Sequence, residues 1–391
     1  MLRCVCLFFF SLLLIQTVWA QRVLTKDDAV NLALGNQRNL KAANLSVQQQ
    51  QQLVRGSAGL ENPQLQYQLS LYDPGAQAGI QQNISFPSVY RSRKALQNER
   101  VRLAQLQLQG SQFDLKRAVL NSYLQLQYFN AKINLLKYQD SIYTAIKTSS
   151  KRFFDAGQIN KLEELQATTG ADAARNNLLR SQTDLESEEQ IFRFYTGYGD
   201  SVSITSMETY VFHLTTDTVK SNVQQDILQQ QITINQKETS LVKAGLLPEL
   251  QAGIMFPTNR NYTQPIGYQF GLTIPLWQKQ NRSKVAAAET GIQIAKAQQQ
   301  LDQQRLTAQY SQSLKAYQRE AQSLAYYNST ALPQARAIIE TSQRLFQGGE
   351  LNYIESLRNL QTAFDIFTNH LDTHRAYNEA VINLAYLNGT L

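Results

Sequence analysis

The sequence of 391 residues contains only two cysteines, and both lie close to its start. Cys4 and Cys6 belong to residues 1–20, a stretch with a basic residue near its beginning followed by a short apolar run. These features are typical of a secretory signal peptide, and the run is too short for an anchor across a bilayer about 30 Å thick. We therefore expect residues 1–20 to be removed, which excludes disulfides, cysteine nucleophiles and cysteine-ligated zinc from the exported chain.

Long apolar runs are absent from the rest of the sequence, so we expect no transmembrane helix and predict that any membrane insertion uses strands. Proline and glycine are scarce, at 8 and 18 residues, and abundant Gln, Leu and Ala favour long helices. The formal charge of +7 arises from basic residues scattered among acids, which argues against nucleic-acid binding. Neither a phosphate-binding loop nor a nucleophile elbow is present. We expect no catalysis and no cofactor.

Two of the three histidines, His370 and His374, are four residues apart on a predicted helix. That spacing can place two ligands for a metal ion on one helical face. However, no third cluster of ligands is visible nearby in the sequence, and a structural metal site needs about four ligands. We favour ordinary surface or tunnel histidines and predict no metal site.

An internal duplication is the clearest pattern in the chain. Residues 152–165 and 344–357 share Arg, Phe, Gly, Asn, Glu and Leu at the same spacing. The same order of helical and alternating segments precedes each motif, which indicates two copies of one unit. We predict a first repeat at 21–196, an inter-repeat segment at 197–218 that forms a small equatorial belt, and a second repeat at 219–391.

Each repeat contains two short segments in which polar and apolar residues alternate, as in half-exposed strands. The predicted strands cover residues 64–72 and 78–86 in the first repeat, and 249–256 and 267–275 in the second. Their length suits a tilted crossing of a bilayer, but four strands cannot close a barrel. Several chains would have to pool their strands, and three would give twelve. The alternative is a pair of soluble hairpins that pack on helices.

Aromatic and basic residues follow both hairpins and favour the membrane interpretation, because such residues form belts at bilayer interfaces. The predicted belt consists of Tyr90, Arg91, Arg93, Trp277, Lys279 and Arg282.

Helix lengths provide a further test of the architecture. Residues 88–156 predict one helix of about 65 residues, near 100 Å long. Residues 26–58 and 161–196 predict two shorter helices that together match it. In the second repeat, residues 278–347 predict the long helix, which Pro333 should kink or interrupt.

Gly157 and Gly349 suit the left-handed residue that ends a helix. Asn160 with Glu163, and Asn352 with Glu355, predict capping boxes for the helices that follow.

In these features the chain resembles the TolC-type outer-membrane efflux family, in particular the branch that exports metals or drugs with resistance-nodulation-division pumps. The similar residues are the paired motifs at 152–160 and 344–352, Thr-Ile-Pro-Leu-Trp at 273–277 ahead of Asn-Arg at 281–282, and Leu-Pro-Gln-Ala-Arg at 332–336. The likeness covers residues 24–391.

The resemblance implies a mainly α fold with a small β part. In this fold, duplicated long coiled-coil α-helical hairpins form a periplasmic α-barrel, and four strands per chain contribute to a trimeric 12-stranded transmembrane β-barrel. It also implies a homotrimer in the outer membrane that extends into the periplasm and contacts a periplasmic adaptor protein, an inner-membrane efflux pump and outer-membrane lipid. The adaptor-contacting tips would be Gly157, Gln158, Ile159, Asn160, Gly349, Glu350, Leu351 and Asn352.

Family members often close the periplasmic aperture with acidic residues just after the second tip. In this chain the matching positions hold Glu355 and Arg358, so we expect a Glu to Arg link between neighbouring chains, with Glu163 at the same aperture.

The resemblance implies a passive exit duct rather than an enzyme. Two alternatives remain open: the outer-membrane channel of a type I protein secretion system, and a trimeric coiled-coil surface or structural protein with soluble strands.

Overall fold

A computed structural model describes residues 23–69, 76–199, 203–211, 222–257, 266–348 and 350–391. The predicted signal peptide, the end of the first predicted strand, most of the loop between the last two strands, and Gly349 lie outside the described residues.

Helices dominate the described chain, and the same order of elements occurs twice. The first series consists of α1 (Lys26–Gly35), α2 (Gln37–Gly56), β1 (Gln64–Leu69), β2 (Ala76–Ile84), α3 (Pro87–Asp155) and α4 (Lys161–Thr196). The second consists of α5 (Val223–Ala244), β3 (Glu249–Pro257), β4 (Gly267–Thr273), α6 (Gln278–Tyr326), a π-helix (Tyr327–Ala331), α7 (Leu332–Gln347) and α8 (Tyr353–Leu387).

The long helix of the first repeat is uninterrupted, as predicted, and α3 contains 69 residues. The predicted interruption near Pro333 is also present, because a five-residue π-helix ends directly before Leu332 and Pro333. Proline has no N–H to donate to the carbonyl of Ser329, and its ring crowds that carbonyl. The local backbone therefore adopts the wider turn of a π-helix.

The prediction of one continuous helix over 26–58 is wrong. The chain forms α1 and α2, separated by Asn36, whose backbone is extended with φ −73° and ψ 97°. Gly35 and Asn36 are both poor helix formers, so the helix is weakest at this pair. The Asn36 side chain also donates a hydrogen bond of 3.5 Å to the carbonyl of Tyr195.

Strand ends lie within two residues of the predicted ones where described. β2 ends at Ile84 because the next N–H, that of Ser85, donates to the Tyr90 hydroxyl at 3.0 Å instead of to a strand. β4 ends at Thr273, and Leu276 N–H then donates to the Ile274 carbonyl in a turn around Pro275.

The chain divides into two compact units, and each draws segments from both repeats. The first unit comprises the described parts of Met1–Asn36, Ala118–Val211 and Ala316–Ile382. Its core joins α3, α4, α7 and α8 through small and aromatic side chains, since alanine allows helix axes to approach closely while the rings fill the space between them. The core residues are Tyr143, Ala171, Ala174, Ala335, Ile339, Leu360, Ala363 and Phe364.

The second unit comprises the described parts of Gln37–Arg117, Phe212–Lys315 and Asn383–Leu391, and it contains the sheet. Polar side chains contribute to the contacts between its helices. Gln97 of α3 donates to Gln50 of α2 at 2.7 Å, and Gln230 of α5 donates to Glu99 of α3 at 2.8 Å. Among the described residues, no helix has both the length and the apolar character needed to cross a lipid bilayer.

Candidate functional site

The four strands form one antiparallel sheet in the order β1-β2-β3-β4. The two hairpins join through β2 and β3, where Ile80 faces Ile254 across the strand pair. Side chains alternate between the two faces of a strand, so this register assigns each residue of the sheet to one face.

One face of the sheet is apolar and open. Phe270 is 83% exposed and Leu65 is 81% exposed. Monomeric soluble proteins rarely expose a continuous apolar surface of this kind, and such surfaces mark contacts with lipid or protein. The exposed residues of this face are Leu65, Tyr67, Leu69, Ile80, Leu250, Ile254, Phe256, Tyr268, Phe270 and Leu272.

The opposite face is polar and consists mainly of amides and glycines. Its members include Gln66, Gln68, Gln81, Gln251 and Gln269, at alternate positions along the same strands. The separation into an apolar and a polar face is the pattern of strands that lie between lipid and water.

The predicted interface belt lies directly after each hairpin. In the first repeat, the guanidinium carbon of Arg93 lies 5.8 Å from the centre of the Tyr90 ring, and its Nη2 lies 3.2 Å from Oε1 of Glu61. Arg91 and Lys279 are exposed, and Trp277 is 79% exposed. Arg282 lines a groove of about 410 Å³ together with Leu246 and Glu289. A role at a membrane interface remains a prediction for these residues.

The first tip connects α3 to α4 with a fully formed termination signal. Gly157 has φ +71°, its N–H donates to the Phe154 carbonyl at 2.9 Å, and Gln158 N–H donates to the Phe153 carbonyl at 2.8 Å. These two bonds make a Schellman motif. Asn160 and Glu163 form the predicted capping box, in which the Glu163 carboxylate accepts the Asn160 N–H at 3.2 Å. The Glu163 carboxylate therefore already accepts a capping hydrogen bond. Its position at the aperture remains a prediction.

At the second tip, Glu350 N–H donates to the Leu345 carbonyl at 2.9 Å, and Asn352 Oδ1 accepts the Glu355 N–H at 2.9 Å. Glu355 and Arg358 are exposed on the first turns of α8. An exposed position leaves both side chains available to another chain, and the predicted link between chains remains a prediction.

Aromatic rings pack the two tips against each other, a feature that the sequence reasoning missed. The ring of Phe153 lies 6.4 Å from that of Phe346, which lies 6.2 Å from that of Tyr353. Tyr353 is only 4% exposed, and burial raises the pKa of its hydroxyl. The sequence signal for this packing was Tyr353, an aromatic residue at the first position of the helix that also carries Glu355.

The histidine pair of α8 contacts two other segments of the first unit. His370 Nε2 lies 3.0 Å from Asn328 Oδ1 in the π-helix, and His374 Nε2 lies 3.0 Å from Thr209 Oγ1 in the inter-repeat segment. Burial lowers the pKa of both imidazoles. Within the described ranges, no three His, Cys, Asp or Glu residues lie close enough together to hold a metal ion.

The described part of the inter-repeat segment is non-helical, and buried polar side chains hold it. Leu24 N–H donates to the Ser203 carbonyl at 2.8 Å, and the Tyr123 hydroxyl donates to the Leu24 carbonyl at 2.8 Å. Asn378 of α8 accepts the Tyr210 N–H at 2.9 Å and donates to the Glu208 carbonyl at 2.7 Å. An equatorial belt around a tunnel remains the predicted role of the segment.

Neither a family model nor a curated protein sequence matches the chain. Solved structures do match it over nearly its full length. The CmeC outer membrane channel of Campylobacter jejuni aligns with a TM-score of 0.79 at 12% identity, over 93% of this chain and 85% of that chain. The outer membrane protein VceC of Vibrio cholerae aligns with a TM-score of 0.76 at 13% identity, over 93% and 96%. The chain has the fold of these outer-membrane channels.

A third structure with this fold is the open state of the MtrE outer membrane channel of Neisseria gonorrhoeae. It aligns with a TM-score of 0.72 at 10% identity, over 93% of this chain and 88% of that chain. The predicted fold, a mainly α chain with long helical hairpins and four strands, is confirmed. At identities of 10 to 13%, the likeness shows the outer-membrane channel fold alone.

Proposed function

We propose that the chain is one subunit of a homotrimeric outer-membrane channel that conducts solutes passively to the outside, as the exit duct of a tripartite efflux system. The observation that carries this proposal is the sheet, which has an exposed apolar face, an opposite polar face and edge strands β1 and β4. A surface of this type suits lipid on one side and water on the other. The outer-membrane channel fold supports the same conclusion.

Assembly follows from the number of strands. An open sheet edge in lipid leaves backbone N–H and carbonyl groups without partners, at a cost of several kcal/mol for each group. Four strands are too few to close, because about eight is the smallest known transmembrane barrel. Pairing of β4 in one chain with β1 in the next would remove every edge, and three chains would form a barrel of twelve strands.

The partners of the duct follow from the resemblance. The long helices would extend into the periplasm, where the tip residues Gly157–Asn160 and Gly349–Asn352 would contact a periplasmic adaptor protein, itself bound to an inner-membrane pump. The pump would supply the energy, so the channel needs no catalytic site. Metal cations and drugs are both candidate substrates.

The first experiment tests location and assembly. We expect the mature protein in the outer-membrane fraction and as a trimer in mild detergent. Recovery from the soluble periplasm, or as a monomer in mild detergent, would contradict the channel and favour a soluble coiled-coil protein.

The second experiment separates efflux from protein secretion. Deletion of the gene should increase the sensitivity of the cell to small toxic compounds or metal ions without loss of a secreted protein. Loss of a secreted protein at unchanged sensitivity would favour the type I secretion channel.

A further inference from the structure

A continuous row of side-chain hydrogen bonds crosses the polar face of the sheet from β1 to β4. The Gln66 amide donates to Oε1 of Gln81, the Gln81 amide donates to Oε1 of Gln251 at 2.8 Å, and the Gln251 amide donates to Oγ1 of Thr273 at 3.2 Å. We call these four residues the amide ladder. Gln81 and Gln251 each accept a hydrogen bond from one neighbour in the row and donate one to the other.

The strand register explains why the ladder forms. Each of its three glutamines faces a glycine on the next strand: Gln66 faces Gly79, Gln81 faces Gly253, and Gln251 faces Gly271. Without a side chain on the neighbouring strand, a glutamine can lie across that strand and reach the residue two positions beyond the glycine. At Gly271 a Cβ atom would lie 2.8 Å from Oε1 of Gln251, so the row requires the glycine there.

The ladder gives the polar face a flat and electrically neutral surface. Gln81 is only 6% exposed although it lies on an open face of the sheet, because its side chain lies against Gly253 and between two other amides. In the described strands this face carries glutamine, asparagine, glycine and threonine, together with Glu249 and the apolar residues Met255 and Pro257. Neutral amides offer hydrogen bonds to a solute but do not distinguish cations from anions.

Among the described strand residues, Glu249 is the only charged side chain on the polar face. It is the first residue of β3 and faces Thr273, the last member of the amide ladder. It lies two positions before Gln251 in the strand, so both side chains belong to the same face. In a closed trimer, this position would contribute three carboxylates at one level of the lumen.

We propose that Glu249 determines the charge selectivity of the strand region, and that the amide ladder makes the remainder of the described lining neutral. This inference rests on the proposed function, because the polar face lines a lumen only if the strands close into a barrel. The lumen would then pass uncharged polar solutes and cations more readily than anions. Three carboxylates act over about one Debye length, about 10 Å at 0.1 M salt, which is comparable to the width of a pore.

The test uses the full-length mature trimer in planar lipid bilayers with a KCl gradient, at about 0.1 M on the dilute side. The reversal potential gives the permeability ratio of K⁺ to Cl⁻. We expect a ratio above one for the wild-type channel and a decrease of about threefold in Glu249→Gln. Glu249→Asp keeps the charge and should keep the ratio.

A compensating variant separates charge from damage to the sheet. Gln269 lies exposed on the polar face of β4, opposite Gly253, so Gln269→Glu returns one carboxylate to the same surface. In the double variant Glu249→Gln with Gln269→Glu, the ratio should return toward the wild-type value.

Two results would overturn the inference while the channel itself stands: an unchanged ratio in Glu249→Gln at wild-type conductance, or a double variant that conducts without recovery of the ratio. A wild-type trimer that forms no conducting pore would instead refute the proposed function, and the inference with it.

Discussion

The hydroxyl of Tyr128 in α3 donates a hydrogen bond of 2.6 Å to Oδ1 of Asp372 in α8. The Arg375 guanidinium carbon lies 4.7 Å from the centre of the same ring, and Lys132 Nζ lies 5.3 Å from it. Burial raises the pKa of Tyr128, and so does its bond to Asp372. One tyrosine thus joins a carboxylate and two cations between two long helices of the first unit.

Tyr128→Phe should destabilise the protein by about 1 to 2 kcal/mol, because the Asp372 carboxylate loses a partly buried donor while the ring and its cation contacts remain. Urea unfolding in detergent, followed by circular dichroism, measures the change. Tyr386→Phe is the matched control, since the half-buried Tyr386 donates at the same distance of 2.6 Å to Asp114, which is exposed. An equal loss in both variants would show that the location of Tyr128 confers no additional stability.

Two glycines should respond to alanine with opposite signs. Gly157→Ala should cost about 1 kcal/mol, because φ is +71° although a Cβ there would meet no atom within 4 Å. Gly291→Ala should stabilise by about 0.5 to 1 kcal/mol, because Gly291 lies inside α6 with the same open surroundings. The same unfolding experiment checks both variants. Stabilisation by Gly157→Ala would contradict the left-handed tip.

Docking of an adaptor at the tip can be tested with the same glycine. Gly157→Arg should abolish resistance to exported compounds without loss of the trimer, because a bulky charge would occupy the surface that faces the adaptor. Gly157→Ala carries the same backbone strain without the charge and should retain resistance. Normal resistance in Gly157→Arg would remove this tip from the docking surface.

The aperture prediction concerns Glu355 and Arg358, which are both exposed near the start of α8. If they link neighbouring chains, the double variant Glu355→Ala with Arg358→Ala should open the constriction and raise single-channel conductance in planar bilayers. Exchange of the two residues, Glu355→Arg with Arg358→Glu, keeps both charges and should stay closer to the wild-type conductance. Unchanged conductance in the double alanine variant would exclude both residues from the constriction.

The histidine pair predicts how stability changes with pH. Burial lowers the pKa of His370 and His374, and for His374 the positive charge of His370 lowers it further while the Glu208 carbonyl raises it. As pH falls through the ordinary histidine value of about 6.5, the unfolded chain therefore takes up protons before the folded one. The contribution of neutral histidine to stability is fully present above that pH and is lost below it.

We accordingly expect the melting temperature to fall between about pH 7.5 and pH 5, with a smaller decrease in the variant His370→Gln with His374→Gln. Thermal unfolding at several pH values measures both. The same decrease in wild type and variant would show that other groups control the acid response.

The sequence predicted helix and strand types well because these depend on local patterns. The 69 residues of α3 contain no internal proline, and the alternation in residues 64–69 is strict, so each assignment needed only neighbours in the chain. The break at Asn36 was missed, because it depends partly on the contact with Tyr195 on another helix.

Parts of the candidate site were harder to predict than the fold. The tip signals at Gly157 and Asn160 were found because a Schellman motif and a capping box involve adjacent residues. The amide ladder was missed because it requires the register between strands, and β2 and β3 are about 170 residues apart along the chain. Burial of Tyr353 by Phe346 likewise needed the packing of the tips.

The π-helix of the second repeat has a mechanical consequence. A π-turn contains one residue more than an α-turn, and one residue of an α-helix corresponds to a rotation of about 100°. The π-helix Tyr327–Ala331 therefore changes the rotation of α7 about its axis relative to α6. It lies directly before Pro333, and its Asn328 contacts His370. Conversion of this turn to α-helical geometry would swivel α7 about its own axis without breaking the chain. The long helix of the first repeat, α3, is a continuous α-helix without a π-turn. Of the two long helical segments, only the one formed by α6 and α7 could therefore rotate in this way.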